Sequence, residues 1–375
     1  MFLYIKKRNM TEFFDKFNDS TKAKLGIYKA YITKYLKVLS KAYKQTWNTK
    51  NSVYIADLFA GPGQDELGNP GSPLILLDYL SQTYLDGLQV KICFNEMNPE
   101  NCQKLNQIVS GHKAPKQSWV EVNVQNQDYS ELLPKIIAKH KNHNYFKRFF
   151  FIDPFGYKGI HLDDIKAILN DGNTELLLFL PVSFIYRFKS KDEDYKAIRM
   201  FLDDFISVPD PSTIGSDVAF VRSILDTLRE KLGLFVDSFI IQDNSGKGHN
   251  CLIYFSSNRK GLEKFVETKW NIDKEEGSGY NKNQSDQVSF LESFFYESLE
   301  EKLMSFLKTG HKTNIEVRNF CYEHGSLPKH GNAALKKFSE QGKIQVRLCD
   351  ERKQPRKNAF YLDDDKNERI YIKAV

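Results

Sequence analysis

The sequence predicts an α/β protein: a doubly wound, Rossmann-like sheet with helices on both faces, followed by a smaller domain of helices and a short β-ribbon. Short apolar runs alternate with helical periodicity between residues 53 and 180. A glycine-bearing turn closes the first run, and the last quarter of the chain changes to amphipathic helices with capping residues. At 375 residues the chain exceeds the usual size of one core, so two domains are expected.

Taken in order, Leu25, Tyr28, Ile32, Tyr35, Leu36 and Leu39 recur at helical spacing, with Lys29, Lys34, Lys37 and Lys41 on the opposite face. Strands are predicted at 53–59, 90–94, 119–124, 148–152 and 175–180; such runs, separated by helical segments, mark a buried parallel sheet. After Arg187, two helical stretches break the alternation and read as an insertion over 187–233. Residues 235–242 and 251–256 form an antiparallel pair around the loop DNSGKGHN, and a helix at 260–270 closes the domain. GSGYNKNQSDQ reads as a linker at 277–289. Beyond it, a helix within 290–307, helices at 315–323 and 332–340, and strands at 344–349 and 360–362 around the basic loop DERKQPRKN compose a winged helix-turn-helix, with Thr313 as an N-cap. The expected division is therefore 1–50 as a helical segment packing on the core, 51–276 as the main domain, and 290–375 as the second.

The 54 Lys and Arg against 48 Asp and Glu give a formal charge of +6, compatible with nucleic acid without requiring it. Cys93, Cys102, Cys251, Cys321 and Cys349 form no CxxC pair, which argues against a zinc cluster or a disulfide framework and fits a reducing cytoplasm. The N-terminus is too broken by charge for a signal peptide, and no stretch reaches the length of a membrane span. A cytoplasmic protein with no metal and no membrane contact is expected.

The chemistry concentrates at strand ends. The first strand runs into DLFAGPG, placing Asp57 at the carboxyl edge of the sheet and Phe59, Gly61 and Gly63 in the turn, where a doubly wound sheet binds nucleotides. GxGxxG and Walker signatures are absent; DxFxGxG is the form of methyltransferase motif I. Ser72 and Pro73 are expected to supply the N-cap and first-turn proline of the next helix, later than a tight turn would allow, so that the loop 64–71 must fold over something. KICFNEMNP ends the second strand in Glu96, a carboxylate placed to accept ribose hydroxyls, against the simpler reading of a solvated charge. In NVQNQDY, Asp128 is a candidate acceptor for an adenine amino group; Asn126 competes for the role, and a helix cap is the alternative.

The fourth strand runs into Asp153, Pro154, Phe155 and Gly156, which resembles the [DNS]PP[YF] motif of methyltransferases acting on exocyclic amino groups. The Asp carboxylate and the Pro carbonyl would hold the amino N–H groups and aim the nitrogen lone pair, with Phe155 or Tyr157 stacking on the base. The pattern departs from the motif at Phe155 and Gly156, which leaves the target atom open. Lys247 and His249 in the hairpin loop, and Tyr186, Arg187 and Lys189 after the fifth strand, are weaker candidates. Lys329, Asn332, Lys336, Arg352, Lys353 and Arg356 lie on or beside the second domain's recognition helix and wing, where nucleic-acid contacts would fall; a solvated face is the alternative.

These blocks together resemble the three-Cys-motif partner family: LGIYKAYITKYL, DLFAGPG, GSPL at 71–74, IDPFG at 152–156 and KGLEKFVETKW. The resemblance implies a class I methyltransferase-like, seven-stranded sheet with a C-terminal winged helix-turn-helix domain, frequent in bacteria and mobile elements. It also implies a partner protein of radical S-adenosylmethionine type, whose cysteines give the family its name. The expectation is an S-adenosylmethionine-dependent methyltransferase acting on nucleic acid, DNA or RNA, at an exocyclic amino group of a base. The alternative is a catalytically degenerate module that binds nucleic acid or a partner protein; a small-molecule or protein substrate is a third reading.

Overall fold

The computed structural model describes residues 19–44, 52–140, 147–154, 159–189, 196–242, 248–274, 277, 279–280, 298–349, 356 and 358–375. The apolar runs become β1 (Ser52–Asp57), β2 (Gln89–Asn95), β3 (Val120–Gln125), β4 (Lys147–Ile152) and β5 (Thr174–Leu180), all parallel. β7 (His249–Ser256) lies between β5 and β6 (Phe235–Gln242), antiparallel to both. The order is 3-2-1-4-5-7-6, extended at its edge by the two residues of β8 (Gly279–Tyr280). Seven strands in this order, with β7 reversed, make the class I methyltransferase fold.

One face of the sheet is covered by α4 (Tyr129–His140), α5 (Leu162–Leu169), α6 (Val182–Phe188), α7 (Lys196–Phe205) and α8 (Asp217–Leu232). Their apolar residues form one core with Tyr54, Ala56, Phe150, Ile152, Leu176, Leu178, Leu180 and Cys251, the strand positions of one parity. The segment expected as an insertion, 187–233, packs on this face. Ile198, Phe201, Phe205, Phe220 and Ile224 are part of the sheet's own core, and α6 begins directly after β5.

The opposite parity faces α1 (Asp19–Lys44), which runs antiparallel to β4. Lys24 meets Asp153, the Tyr28 ring lies 4.6 Å from Phe151, Tyr31 and Tyr35 lie 6.0 and 5.5 Å from Phe149, and the Tyr35 hydroxyl donates to the Arg148 carbonyl at 3.2 Å. From Lys24 to Tyr35 the helix rises about 16 Å, and β4 extended from Arg148 to Asp153 spans about the same, so one stripe of the helix matches one side of the strand throughout.

At the amino edge of the sheet the fully buried Tyr31 hydroxyl donates to Glu175 at 2.5 Å and bonds Tyr254 at 2.9 Å. A Cβ at Gly261 would lie 2.3 Å from the Tyr254 hydroxyl, so α9 (Arg259–Ile272) passes here only as glycine. Burial pushes the Glu175 carboxyl from 4.5 up to about 7, against the pull of its tyrosine hydrogen bonds.

The chain divides into two compact units, residues 1–264 with 279–282, and 265–278 with 283–375. The expected boundary at 276/277 is thereby corrected. Trp270 belongs to the second unit, where its Nε1 donates to the Gly325 carbonyl at 2.9 Å and its ring lies 4.0 Å from His330. Gly279 and Tyr280, expected in the linker, pair with β6.

The second unit holds α10 (Leu299–Lys308), β9 (Lys312–Thr313), α11 (Asn314–Glu323), α12 (Pro328–Glu340), β10 (Ile344–Leu348) and β11 (Ile370–Ala374), with the sheet ordered 10-11-9. Ser298 and Glu301, and Thr313 and Glu316, form reciprocal capping boxes. The expected strand at 360–362 is not one. Tyr361 has φ +52°, which a β-ladder cannot accommodate, while Phe360 and Leu362 bury in the core and β11 takes the place beside β10. The helix expected at 332 begins at Pro328, whose fixed φ suits the first turn. Residues 290–297 of the helix expected within 290–307, and most of the basic loop, lie outside the described residues.

A stability measurement tests the Glu175 cluster. Between about 4.5 and 7 the folded state holds a proton that the unfolded chain has released, so stability is complete below pH 4.5 and falls as pH rises through 7. Asp57, raised from 3.8 to about 7, contributes in the same direction. Glu175→Gln should remove roughly half of that fall in thermal midpoint. A pH profile identical to wild type would exclude Glu175 as its source.

Candidate functional site

Register brings the acidic strand ends together. Asp57 pairs with Phe94 of β2 and Phe151 of β4, so Asp57, Glu96 and Asp153 end neighbouring strands at one edge. Asp57 has no solvent exposure; it accepts from the Ser72 hydroxyl at 2.6 Å and the Phe59 amide at 3.3 Å. Burial pushes its carboxyl to about 7, the Ser72 hydrogen bond opposes this, and the negative charge on Asp153 adds to it. The expected N-cap role of Ser72 is corrected. Gly71 holds the cap position of α2 (Ser72–Gln82) with no side-chain cap bond, and the Ser72 hydroxyl goes to Asp57 instead.

Glu96 is 4% exposed, one residue past the end of β2. Its Oε2 accepts the Gly61 amide at 2.9 Å and its Oε1 accepts the Asn98 amide at 2.7 Å. The carboxylate thus ties the glycine turn after β1 to the start of α3 (Pro99–Gly111). Each oxygen keeps lone-pair capacity for a further donor. Burial raises its pKa, and the two amides pull it back.

Gly61 and Gly63 have φ of +62° and +89°, which explains glycine at both places. A Cβ at Gly63 would also lie 3.1 Å from Leu105 Cδ1 and 3.2 Å from Ile108 Cδ1, so there the missing side chain serves the packing of α3. The loop 64–71 is braced internally by Asp65. Asp65 accepts the Leu67 amide at 3.0 Å, and the Asn69 amide and Nδ2 at 2.7 Å each.

Asp153 forms an ion pair with Lys24, whose side chain is 6% exposed and whose ammonium lies 4.5 Å from the centre of the Phe179 ring. One turn along α1, the Tyr28 hydroxyl is buried with no hydrogen-bond partner among the described residues. Burial and the nearby charge of Asp57 push its pKa up. Sequence reasoning missed both residues. The available signal was Lys24 itself, a cation on the apolar stripe of α1, four residues before Tyr28.

The other expected site residues are placed as follows. Phe59 stacks on Tyr129 with ring centres 5.2 Å apart. Asp128 is exposed and spends Oδ1 on the Ser130 amide and hydroxyl, at 2.8 and 2.6 Å, which holds its carboxyl below the usual range and makes it a cap for α4. Asn126 braces the turn after β2 by donating to the Glu96 and Met97 carbonyls at 2.8 and 2.9 Å. Pro154 is buried beside Asp153; Phe155, Gly156 and Tyr157 lie outside the described residues.

At the start of β7, His249 Nδ1 lies 3.1 Å from Asp217 Oδ2; Lys247 lies outside the described residues. Tyr186 and Lys189 both bond the Ile214 carbonyl, and Arg187 bonds that of Ser183. In the second unit, Lys329, Asn332 and Lys336 share one face of α12, with both lysines exposed, and Arg356 is exposed. Arg352 and Lys353 lie outside the described residues. Among the described residues no group of His, Cys, Asp and Glu is placed to hold a metal ion, and no helix is long and apolar enough to cross a membrane.

No protein-family model and no curated protein matches the chain. Among solved structures, a human methyltransferase 10 domain containing protein is similar at 11% identity and a TM-score of 0.30, over 61% of this chain and 83% of that one. The N-terminal domain of human METTL16 in complex with SAH is similar at 12% identity and a TM-score of 0.29, over 60% and 69%. The plantazolicin methyltransferase BpumL, in complex with a monoazolic desmethylPZN analog and SAH, is similar at 12% identity and a TM-score of 0.28, over 62% and 85%. The fold assignment stands on the strand order.

The Lys24–Asp153 pair makes a prediction for the fold. Asp153→Ala leaves a buried ammonium unpaired and should cost about 3–5 kcal/mol of unfolding free energy. Adding Lys24→Met should recover most of the loss in a denaturant titration. If the double variant is no more stable than Asp153→Ala, the two side chains are not coupled.

Proposed function

We propose that the chain is an S-adenosylmethionine-dependent methyltransferase acting on nucleic acid at an exocyclic amino group of a base, and a member of the three-Cys-motif partner family. The observation that carries the reading is Glu96: a carboxylate buried at the tip of β2, fixed by the Gly61 and Asn98 amides, and beside Asp57. A carboxylate there, with lone pairs to spare, suits the paired hydroxyls of a ribose. The acceptor set therefore fits the cofactor.

When bound, the cofactor supplies a methyl group on an electrophilic sulfonium, so the protein's task is positioning. Glu96 would hold the ribose, and the turn 61–63 would lie against it. Asp57 and the Tyr28 hydroxyl would present polar atoms at the carboxyl end of β1. Asp153, held through Oδ2 by Lys24, has Oδ1 to accept one amino N–H of the target. The Pro154 carbonyl would accept the other, and Phe155 would stack on the base.

The second unit, with two helices around the turn 324–327 and a small antiparallel sheet, reads as a winged helix-turn-helix whose α12 face of Lys329, Asn332 and Lys336 would meet nucleic acid. A partner of radical S-adenosylmethionine type belongs to the same reading. The competing reading, a degenerate binding module, draws on Lys24 occupying one oxygen of Asp153.

Calorimetry with S-adenosylhomocysteine, followed by transfer of labelled methyl to total DNA and RNA, separates the two. Wild type should bind and transfer. Glu96→Ala should weaken binding by about a hundredfold, as expected for loss of charge-assisted hydrogen bonds. Absence of binding to wild type would end the enzyme reading; binding without transfer to either nucleic acid would favour the degenerate module.

A further inference from the structure

We propose that the exposed face of α1 is a track for the phosphodiester backbone of single-stranded nucleic acid, beginning level with the sheet edge that carries Asp153. The inference rests on the nucleic-acid reading above and deepens it by naming the form of the substrate and a second surface that holds it.

α1 contains no acidic residue after Asp19, yet carries Lys22, Lys24, Lys29, Lys34, Lys37, Lys41 and Lys44. Lys24 is turned to the sheet and consumed by Asp153. At 100° per residue, Lys22, Lys29, Lys37, Lys41 and Lys44 fall within a sector of about 120°, and they span about 33 Å of helix. Lys29, Lys37 and Lys41 are exposed and form no ion pair among the described residues. The ends of the row are partly neutralised, Lys22 by Asp19 at 3.9 Å and Lys44 by Asp86 at 2.9 Å. On the adjoining α2, Asp78 is engaged by His112 at 3.1 Å.

Geometry narrows the partner. The inner stripe of α1 is packed along β4, so only its outer face is available to a partner. What it offers is a straight, rigid row of charge, and a single strand can follow such a row. The exposed positions Lys22, Gly26, Lys29, Lys37, Lys41, Ala42 and Lys44 include no large apolar side chain to enter a lipid surface. Lys24, which contacts Asp153, lies within one turn of Lys22 but about 160° around the helix from it, so the row begins level with the candidate site on the outer side of α1, and a strand would have to pass round the helix to bring an unpaired base to Asp153. Chemistry on a base requires that state.

The test is fluorescence anisotropy on the full chain with a labelled single strand of about 20 nucleotides and the matching duplex, across salt. In Lys29→Gln/Lys37→Gln/Lys41→Gln the slope of log affinity against log salt should become shallower by about 2 for the single strand, so that wild type loses about twentyfold more affinity than the variant between roughly 50 and 200 mM salt. The variant's thermal midpoint should be unchanged. Lys329→Gln/Lys336→Gln serves as the comparison in the second unit. If wild type binds the single strand and the triple variant keeps its slope, the track is overturned while the nucleic-acid reading stands. A slope change confined to the duplex overturns it equally. Failure of wild type to bind either probe overturns both.

Discussion

The arrangement depends on the docking of α1 along β4. A helix rising 1.5 Å per residue and a strand rising about 3.3 Å per residue stay in register only where one helical stripe meets one strand parity, and here they do so from Arg148 to Asp153. Ile27, Tyr28, Tyr31, Ile32 and Leu36 are almost wholly removed from water, each contributing about 1.5–3 kcal/mol of transfer free energy. That burial carries Lys24 with it. Its ammonium loses hydration worth several kcal/mol, which the charge of Asp153 and the face of Phe179 must offset. The same stripe ends in the Tyr31–Glu175–Tyr254 cluster at the opposite edge, so the helix is anchored by polar contacts at both ends and by aromatic packing between them.

The electrostatics of the carboxyl edge follow from this docking. Three carboxyl groups end adjacent strands, and the ammonium on Asp153 comes from α1 rather than from the sheet. Asp153 is charge-compensated, Glu96 is held by amide dipoles, and Asp57 has only neutral donors. Burial pushes Asp57 to about 7. Near neutral pH it passes between hydrogen-bond donor and acceptor, which distinguishes its role from that of a fixed anion.

What could be read from the sequence follows the range of the forces involved. The five parallel strands were legible because buried strands are continuous apolar runs, and Asp57, Glu96 and Asp153 were legible because polar residues that end such runs stand at the sheet edge. α6 was not, since VSFIYRF is only seven residues long, too short to show a helical period. β11 was hidden by the decoy at 360–362, whose alternation is real but whose backbone passes through the left-handed region at Asn358 and Tyr361. β8 and β9, two residues each, carry no periodicity at all. Ser72 looked like a cap because Ser before Pro at a helix start usually is one; a buried carboxylate fifteen residues earlier claims its hydroxyl. Lys24 and Asp153, 129 positions apart, share no local pattern.

Lys24 also bears on how Asp153 could work. In an acceptor site built from a free carboxylate, either oxygen could meet the target, and the ring of an aromatic base could tilt between them. With Oδ2 held by the ammonium, only Oδ1 remains, and its direction is fixed by a side chain on a helix locked along the whole of β4. An orienting cation would supply at this site some of the constraint that the missing second proline and final aromatic of the amino-methyltransferase motif would otherwise supply. On the proposed reading, the departure of the sequence at Phe155 and Gly156 and the presence of Lys24 beneath Asp153 would be two aspects of one local solution.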